Sequence, residues 1–147
     1  MLASEWLNRG NAAQSPIDAF TDYWRGFNSL YGRTPGPTEL ARLRAFLALR
    51  VFPAAAAPIL ANHPEQVAYL LSQPVIDMRD NGRDTTVAIA AFLASADAQA
   101  KLCELFTIIY QIRCNLEHGH KSPVNDRDVR LCECSAPLVA AVVANAL

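Results

Sequence analysis

From Asp97 to His118, apolar side chains recur at spacings of three and four residues for about six helical turns. At ~100° per residue, Leu105, Ile109, Ile112 and Leu116 fall within ~80° of Leu102 on one side, and Phe106 lies ~40° away on the other. Glu104, Thr107, Gln111 and Asn115 gather opposite and predict a polar outer face. Arg113 lands ~20° from Leu102, inside the apolar stripe. An unpaired buried guanidinium costs several kcal/mol. Arg113 must therefore snorkel to water, pair with Glu117 or another acid, or face a cleft.

The rest of the chain reads the same way. Ala, Leu and Arg dominate, β-branched clusters are short, and no alternating strand pattern stands out. The expectation is an all-α single domain over residues 1–147, with residues 1–14 as a loosely ordered arm. Ser15 followed by Pro16 caps a helix carrying a wide stripe of Phe20, Tyr23, Trp24, Phe27, Leu30 and Tyr31, which Gly32 ends. Thr38 opens a second helix, with Glu39 in its first turn and Leu40, Leu43, Phe46, Leu47 and Leu49 on its inner face. Pro53, Pro58, Pro64 and Pro74 divide the next stretch into short helices near 54–62 and 64–72. Residues 77–84 form a polar loop with an Asn81-Gly82 turn, and Asp77, Met78 and Arg79 carry no assigned chemistry. A helix over 85–94 follows. After the long helix ends at Gly119, Asn125 caps the last one, with Asp128 three residues on. Pro137 is expected to kink or split it.

Composition excludes some classes. With 52% hydrophobic and 18% charged residues, the chain is too apolar for disorder. No apolar run approaches the roughly 18 residues of a membrane span. The N-terminal ten residues carry Glu5, Asn8 and Arg9 and do not read as a signal peptide. Cys103, Cys114, Cys132 and Cys134 are then expected as reduced thiols in the cytoplasm. A net charge of -1 disfavours a protein that coats nucleic acid, though not one with a local basic site. Eleven of the 13 basic residues are Arg, which beside 25 Ala is mostly compositional background. His118-x-His120 and Cys132-x-Cys134 match no common zinc spacing, so no metal and no cofactor is expected. Cys114 has no evident base to make it a nucleophile.

His118 alone would be a helix-terminal residue favoured by the dipole. The segment Ile109-Tyr-Gln-Ile-Arg113-Cys-Asn-Leu-Glu-His118-Gly-His-Lys121, however, resembles the Arg-x4-6-His motif of the HEPN superfamily, in its bacterial Arg-x-Asn-x-x-His-Gly form. Upstream, Trp24, Phe27, Asn28 and Tyr31 lie in a segment similar to a Trp-x-x-Phe-Asn-x-Leu-Tyr-Gly signature of such proteins, and Asn125-Asp-Arg-Asp128 also fits. The resemblance spans roughly residues 20–143. It implies an up-and-down bundle of about four main helices plus short proline-separated ones, paired as a homodimer with the motif helices at the interface. It implies metal-independent cleavage of RNA by 2′-hydroxyl attack, with Arg113 binding the phosphate and His118 moving the proton. Asn115, His120 and Lys121 are candidates to orient or bind the phosphate. Cys114 stands where many active members carry Asn, Asp or His. The setting implied is toxin–antitoxin, defence or stress response, with an antitoxin protein as a possible partner. The alternative is a non-catalytic module binding nucleotide, RNA or a nucleotidyltransferase-type protein. On an ideal helix Arg113 and His118 lie ~140° apart, so two copies of the helix, or unwinding at Gly119, would be needed to bring them to one substrate.

Overall fold

A computed structural model describes residues 2–119 and 125–147. Those residues form eight helices and no strand: α1 (Leu2–Asn11), α2 (Pro16–Tyr31), α3 (Glu39–Arg50), α4 (Pro53–Ala61), α5 (Pro64–Ser72), α6 (Thr86–Ala94), α7 (Ala98–Glu117) and α8 (Asp126–Asn145). Among the described residues no single helix is long and apolar enough to cross a membrane.

Side-chain caps set the helix starts. Ser15 Oγ accepts from Asp18 N at 3.1 Å, and Thr38 Oγ1 accepts from Ala41 N at 3.1 Å. Asp97 Oδ2 accepts from Ala100 N at 2.9 Å, and Asn125 Oδ1 from Asp128 N at 3.0 Å. Each satisfies one of the donors a helix N-terminus leaves open. At the other end of α7, His118 is the cap residue and Gly119 takes φ +73°. That left-handed turn suits glycine and stops the helix there.

Packing joins two groups of helices. The helix pair α1 and α8 lies against α2, while α3, α4 and α6 lie against α7. The aromatic stripe of α2 and the apolar stripe of α7 meet between them. Phe27 stands edge-on to Phe106 at 5.3 Å, and Trp24 is 6.4 Å from Tyr110. Phe20, Phe27, Tyr31, Leu102, Phe106, Ile109 and Ile112 are fully buried, each contributing roughly 1.5–3 kcal/mol by leaving water. Leu49, expected inside, is 63% exposed. It shares α3 with Leu43, Phe46 and Leu47, which are buried, and with Leu40, which is partly buried against the core.

Two expectations are corrected. The N-terminal segment is helix α1, with no loosely ordered arm over residues 2–11. Ala3 is buried and Leu7 packs on the core. Close approach to α2 makes this possible, because at Gly10 an added Cβ would lie 2.4 Å from the Tyr23 ring, and at Gly26 it would lie 3.3 Å from the Ala3 carbonyl oxygen. Of the kink or split expected at Pro137, the split does not occur, because α8 runs unbroken through it. The carbonyl that Pro137 cannot bond is that of Glu133, an exposed residue, so water can satisfy it. Fully buried Leu138, Val139, Val142 and Val143 hold the second half in place.

The variant Gly26→Leu tests the α1 contact. Helix propensity alone would stabilise it by ~0.8 kcal/mol. Overpacking against α1 should outweigh this and destabilise the fold by about 1–3 kcal/mol in urea unfolding. A variant as stable as the wild type or more so would show that α1 is not seated there.

Candidate functional site

Arg113 is 20% exposed and does not snorkel freely. Its Nη1 lies 3.1 Å from Glu39 Oε2 and 2.9 Å from Glu117 Oε2. Glu39, at the start of α3 and 25% exposed, is the inner partner. Its other oxygen accepts from the Tyr31 hydroxyl at 2.5 Å, and Asn28 Nδ2 donates to Tyr31 Oη at 2.8 Å and to Glu39 Oε1 at 3.4 Å. One carboxylate thus ties the α2 signature residues to the arginine of α7.

The electrostatics follow from this geometry. Burial pulls the Arg113 pKa down, but Glu39 and then Glu117 outweigh it and the net shift is upward. Burial pushes the Tyr31 phenol far above its ordinary range, and its hydrogen bond to Glu39 adds to this. Tyr31 is therefore a neutral donor to a charged acceptor.

Both ion pairs use Nη1. The Nε and Nη2 edge of Arg113 donates no hydrogen bond to the described residues. The guanidinium lies over Trp24, its carbon 6.0 Å from the ring centroid, within range of a cation–π attraction. It opens on a cavity of about 360 Å³ walled by Phe20, Thr21, Trp24, Arg25, Leu116 and Glu117. The Trp24 indole N–H, on a residue of that wall, has no partner among the described residues. Such a cavity is large enough for a small anionic ligand or one nucleotide unit.

The other candidates are distributed differently. His118 caps α7, is exposed, and does not line the Arg113 cavity. One chain therefore does not bring Arg113 and His118 together there. Asn115 is 1% exposed and lies beneath the loop preceding α6, so the outer polar face predicted for α7 is covered. Asn115 Nδ2 donates to the Ile76 carbonyl at 2.8 Å, and its Oδ1 accepts from Met78 N at 3.1 Å and Gln111 Nε2 at 3.0 Å. Both ends of the amide serve the loop. Further along the same face, Arg44 pairs with Glu104 at 2.7 Å and bonds Thr107. Trp24, Phe27 and Tyr31 are buried core residues, and Asn28 supports Glu39. His120 and Lys121 lie outside the described residues. Cys114 is buried, which raises its thiol pKa and keeps it protonated. Among the described residues no three His, Cys, Asp or Glu side chains gather as a metal site.

Glu39 escaped the sequence reading. In sequence it is an ordinary first-turn acid of α3, 74 residues from its arginine. The only signal was the misfit of Arg113, which required an acid without saying where.

Comparison with protein-family models, curated proteins and solved structures finds no match to the chain.

Replacing Asn115 with Ala leaves the Met78 N–H and the Ile76 carbonyl without their partner. The expected loss is about 1–3 kcal/mol in urea unfolding, together with faster amide exchange at Met78. Unchanged exchange there would mean that the loop does not depend on Asn115.

Proposed function

We propose that the chain is a HEPN-type, metal-independent endoribonuclease working as a homodimer. The observation that carries this reading is the open Nε/Nη2 edge of Arg113, held over Trp24 beside a cavity. That edge is the fork that grips two phosphate oxygens at once. Glu39 fixes the guanidinium from behind, so little reorientation is needed when a phosphate arrives. Glu117 is half exposed, one turn away on the same helix, and its pairing is worth well under ~1 kcal/mol of resistance. A phosphate can displace it.

In the proposed reaction the RNA 2′-hydroxyl attacks the adjacent phosphorus. The bond to the 5′-oxygen breaks, leaving a 2′,3′-cyclic phosphate and a 5′-hydroxyl. Arg113 offsets the extra negative charge on the phosphate oxygens. His118 takes a proton from the 2′-hydroxyl or gives one to the leaving oxygen. The two side chains leave α7 ~140° apart, and His118 is absent from the Arg113 cavity. In this reading Arg113 of one copy works beside His118 of the other. A cytoplasmic toxin, defence or stress-response role fits such an activity, with an antitoxin protein as a natural partner.

One observation favours a second reading. Glu39 and Glu117 together neutralise Arg113 and leave the cavity without excess positive charge. A non-catalytic module that binds a nucleotide, RNA or a nucleotidyltransferase-type partner there would need no more than this.

Incubation with RNA in EDTA separates the two. Cleavage should proceed with the wild type. It should fall about 10²–10³-fold in Arg113→Ala and about 10²–10⁴-fold in His118→Ala. RNA that stays intact but bound supports the module. RNA that is neither cut nor bound excludes the ribonuclease and an RNA-binding module.

A further inference from the structure

A second arginine is carried to the last turns of α7 by the loop that Asn115 anchors. The loop between α5 and α6 closes on itself as a small hairpin. Asp77 N donates to the Arg83 carbonyl at 2.9 Å, Val75 N to Thr85 Oγ1 at 2.8 Å, and Ile76 pairs with Asp84. Inside it sits the Asp77 carboxylate, only 2% exposed. Arg79 grips that carboxylate with both arms of its fork, Nε to Oδ1 at 3.0 Å and Nη2 to Oδ2 at 2.7 Å. Asn81 Nδ2 and the Arg79 backbone N–H complete its shell at 2.9 and 3.1 Å. The Arg79 hydrogen bonds hold the Asp77 carboxyl well below the usual carboxylate range.

The side chain of Arg79 nevertheless remains half exposed, and its Nη1 donates no hydrogen bond to the described residues. It is an arginine with a fixed direction and a free outer edge. The loop that carries it is fastened to α7 through Asn115. Tyr110, Cys114 and His118 recur every four residues and form one stripe along the helix. Arg79 directly follows Met78, whose backbone N–H is held by Asn115 Oδ1 at 3.1 Å, so the loop sets Arg79 beside the last turns of α7. Asn115 anchors the loop in the same last turn, three residues before His118.

We propose that Arg79, oriented by the buried carboxylate of Asp77, is a phosphate-binding residue that shares the His118 side of α7 and forms an anion seat with it within one chain. The proposal rests on the ribonuclease reading for its substrate, the reacting RNA phosphate. Arg113 lines the Trp24 cavity, and Arg79 is carried by the loop that Asn115 fastens to the turn preceding His118. The cation beside His118 is thus supplied in cis, independently of whichever Arg113 the partner copy brings. A guanidinium already clamped on one side loses little freedom when its outer edge meets an oxyanion.

The test is titration with inorganic phosphate at constant ionic strength, following the imidazole resonances of His118 by NMR. Wild-type protein should give a saturable shift at His118. Arg79→Gln should weaken the apparent affinity at least about tenfold, a change of one decade per ~1.4 kcal/mol. Because that variant leaves a buried carboxylate unpaired, the Asp77→Asn, Arg79→Gln pair is measured beside it and should show the same loss with the loop kept neutral. No saturable shift in the wild type, or equal affinity in the folded variants, overturns the seat. The RNA assay in EDTA reads the underlying function separately. If RNA stays intact while the His118 shift depends on Arg79, the seat stands and the ribonuclease reading falls. If RNA is cut with kcat/KM unchanged in the double variant, the ribonuclease reading stands and the seat falls.

Discussion

The ion pair between Arg113 and Glu39 organises this structure. A guanidinium inside an apolar helix face cannot be left alone, since its desolvation would cost several kcal/mol. Glu39 answers it from the first turn of α3, and Glu39 is itself held by Tyr31 and Asn28 of α2. The carboxylate therefore receives hydrogen bonds from two helices other than its own, and it fixes how α2, α3 and α7 meet. Removing either partner would strand the other in a partly dry site, which costs far more than the pair contributes net. The same constraint leaves one edge of the arginine without a partner among the described residues, and the residue lines a cavity. Architecture and candidate chemistry thus share a single interaction.

What was legible in the sequence was local. Ser15, Thr38 and Asn125 announced their helices because a cap acts within three residues. Gly119 announced a stop because a left-handed turn needs no distant partner. Arg113 announced itself as a misfit. The illegible features all depend on surfaces remote in sequence. Helix α1 carries Glu5, Asn8 and Arg9 and reads as a loose arm until Gly10 and Gly26 let it lie against α2. Asn115 falls on the polar side of a helical wheel, which cannot show that a loop covers that side. Pro137 breaks a helix in isolation, yet here α8 runs through it because Leu138, Val139, Val142 and Val143 beyond it are locked in the core.

The arginine excess also reads differently in three dimensions. Arg44 fastens α3 to α7 through Glu104 and Thr107, and Arg9 and Arg25 converge on Asp22. The Arg44 and Arg9 pairs fasten one helix to another, while the Arg25 pair lies within α2. Arg113 and Arg79 are different because a carboxylate orients each while part of its fork stays open. A chain of near-neutral charge can hold a phosphate in this way without a broad basic surface, because fixed donors replace a field.

The most direct measurement is whether an anion docks on the open edge of Arg113. Trp24 lies beneath that guanidinium, so its fluorescence in a Trp6→Phe background reports the site alone. Titration with a 2′-deoxy oligonucleotide, which cannot react, should produce a saturable change that Arg113→Gln abolishes and Glu39→Gln weakens. A signal that survives Arg113→Gln, or no signal at all, would contradict the account.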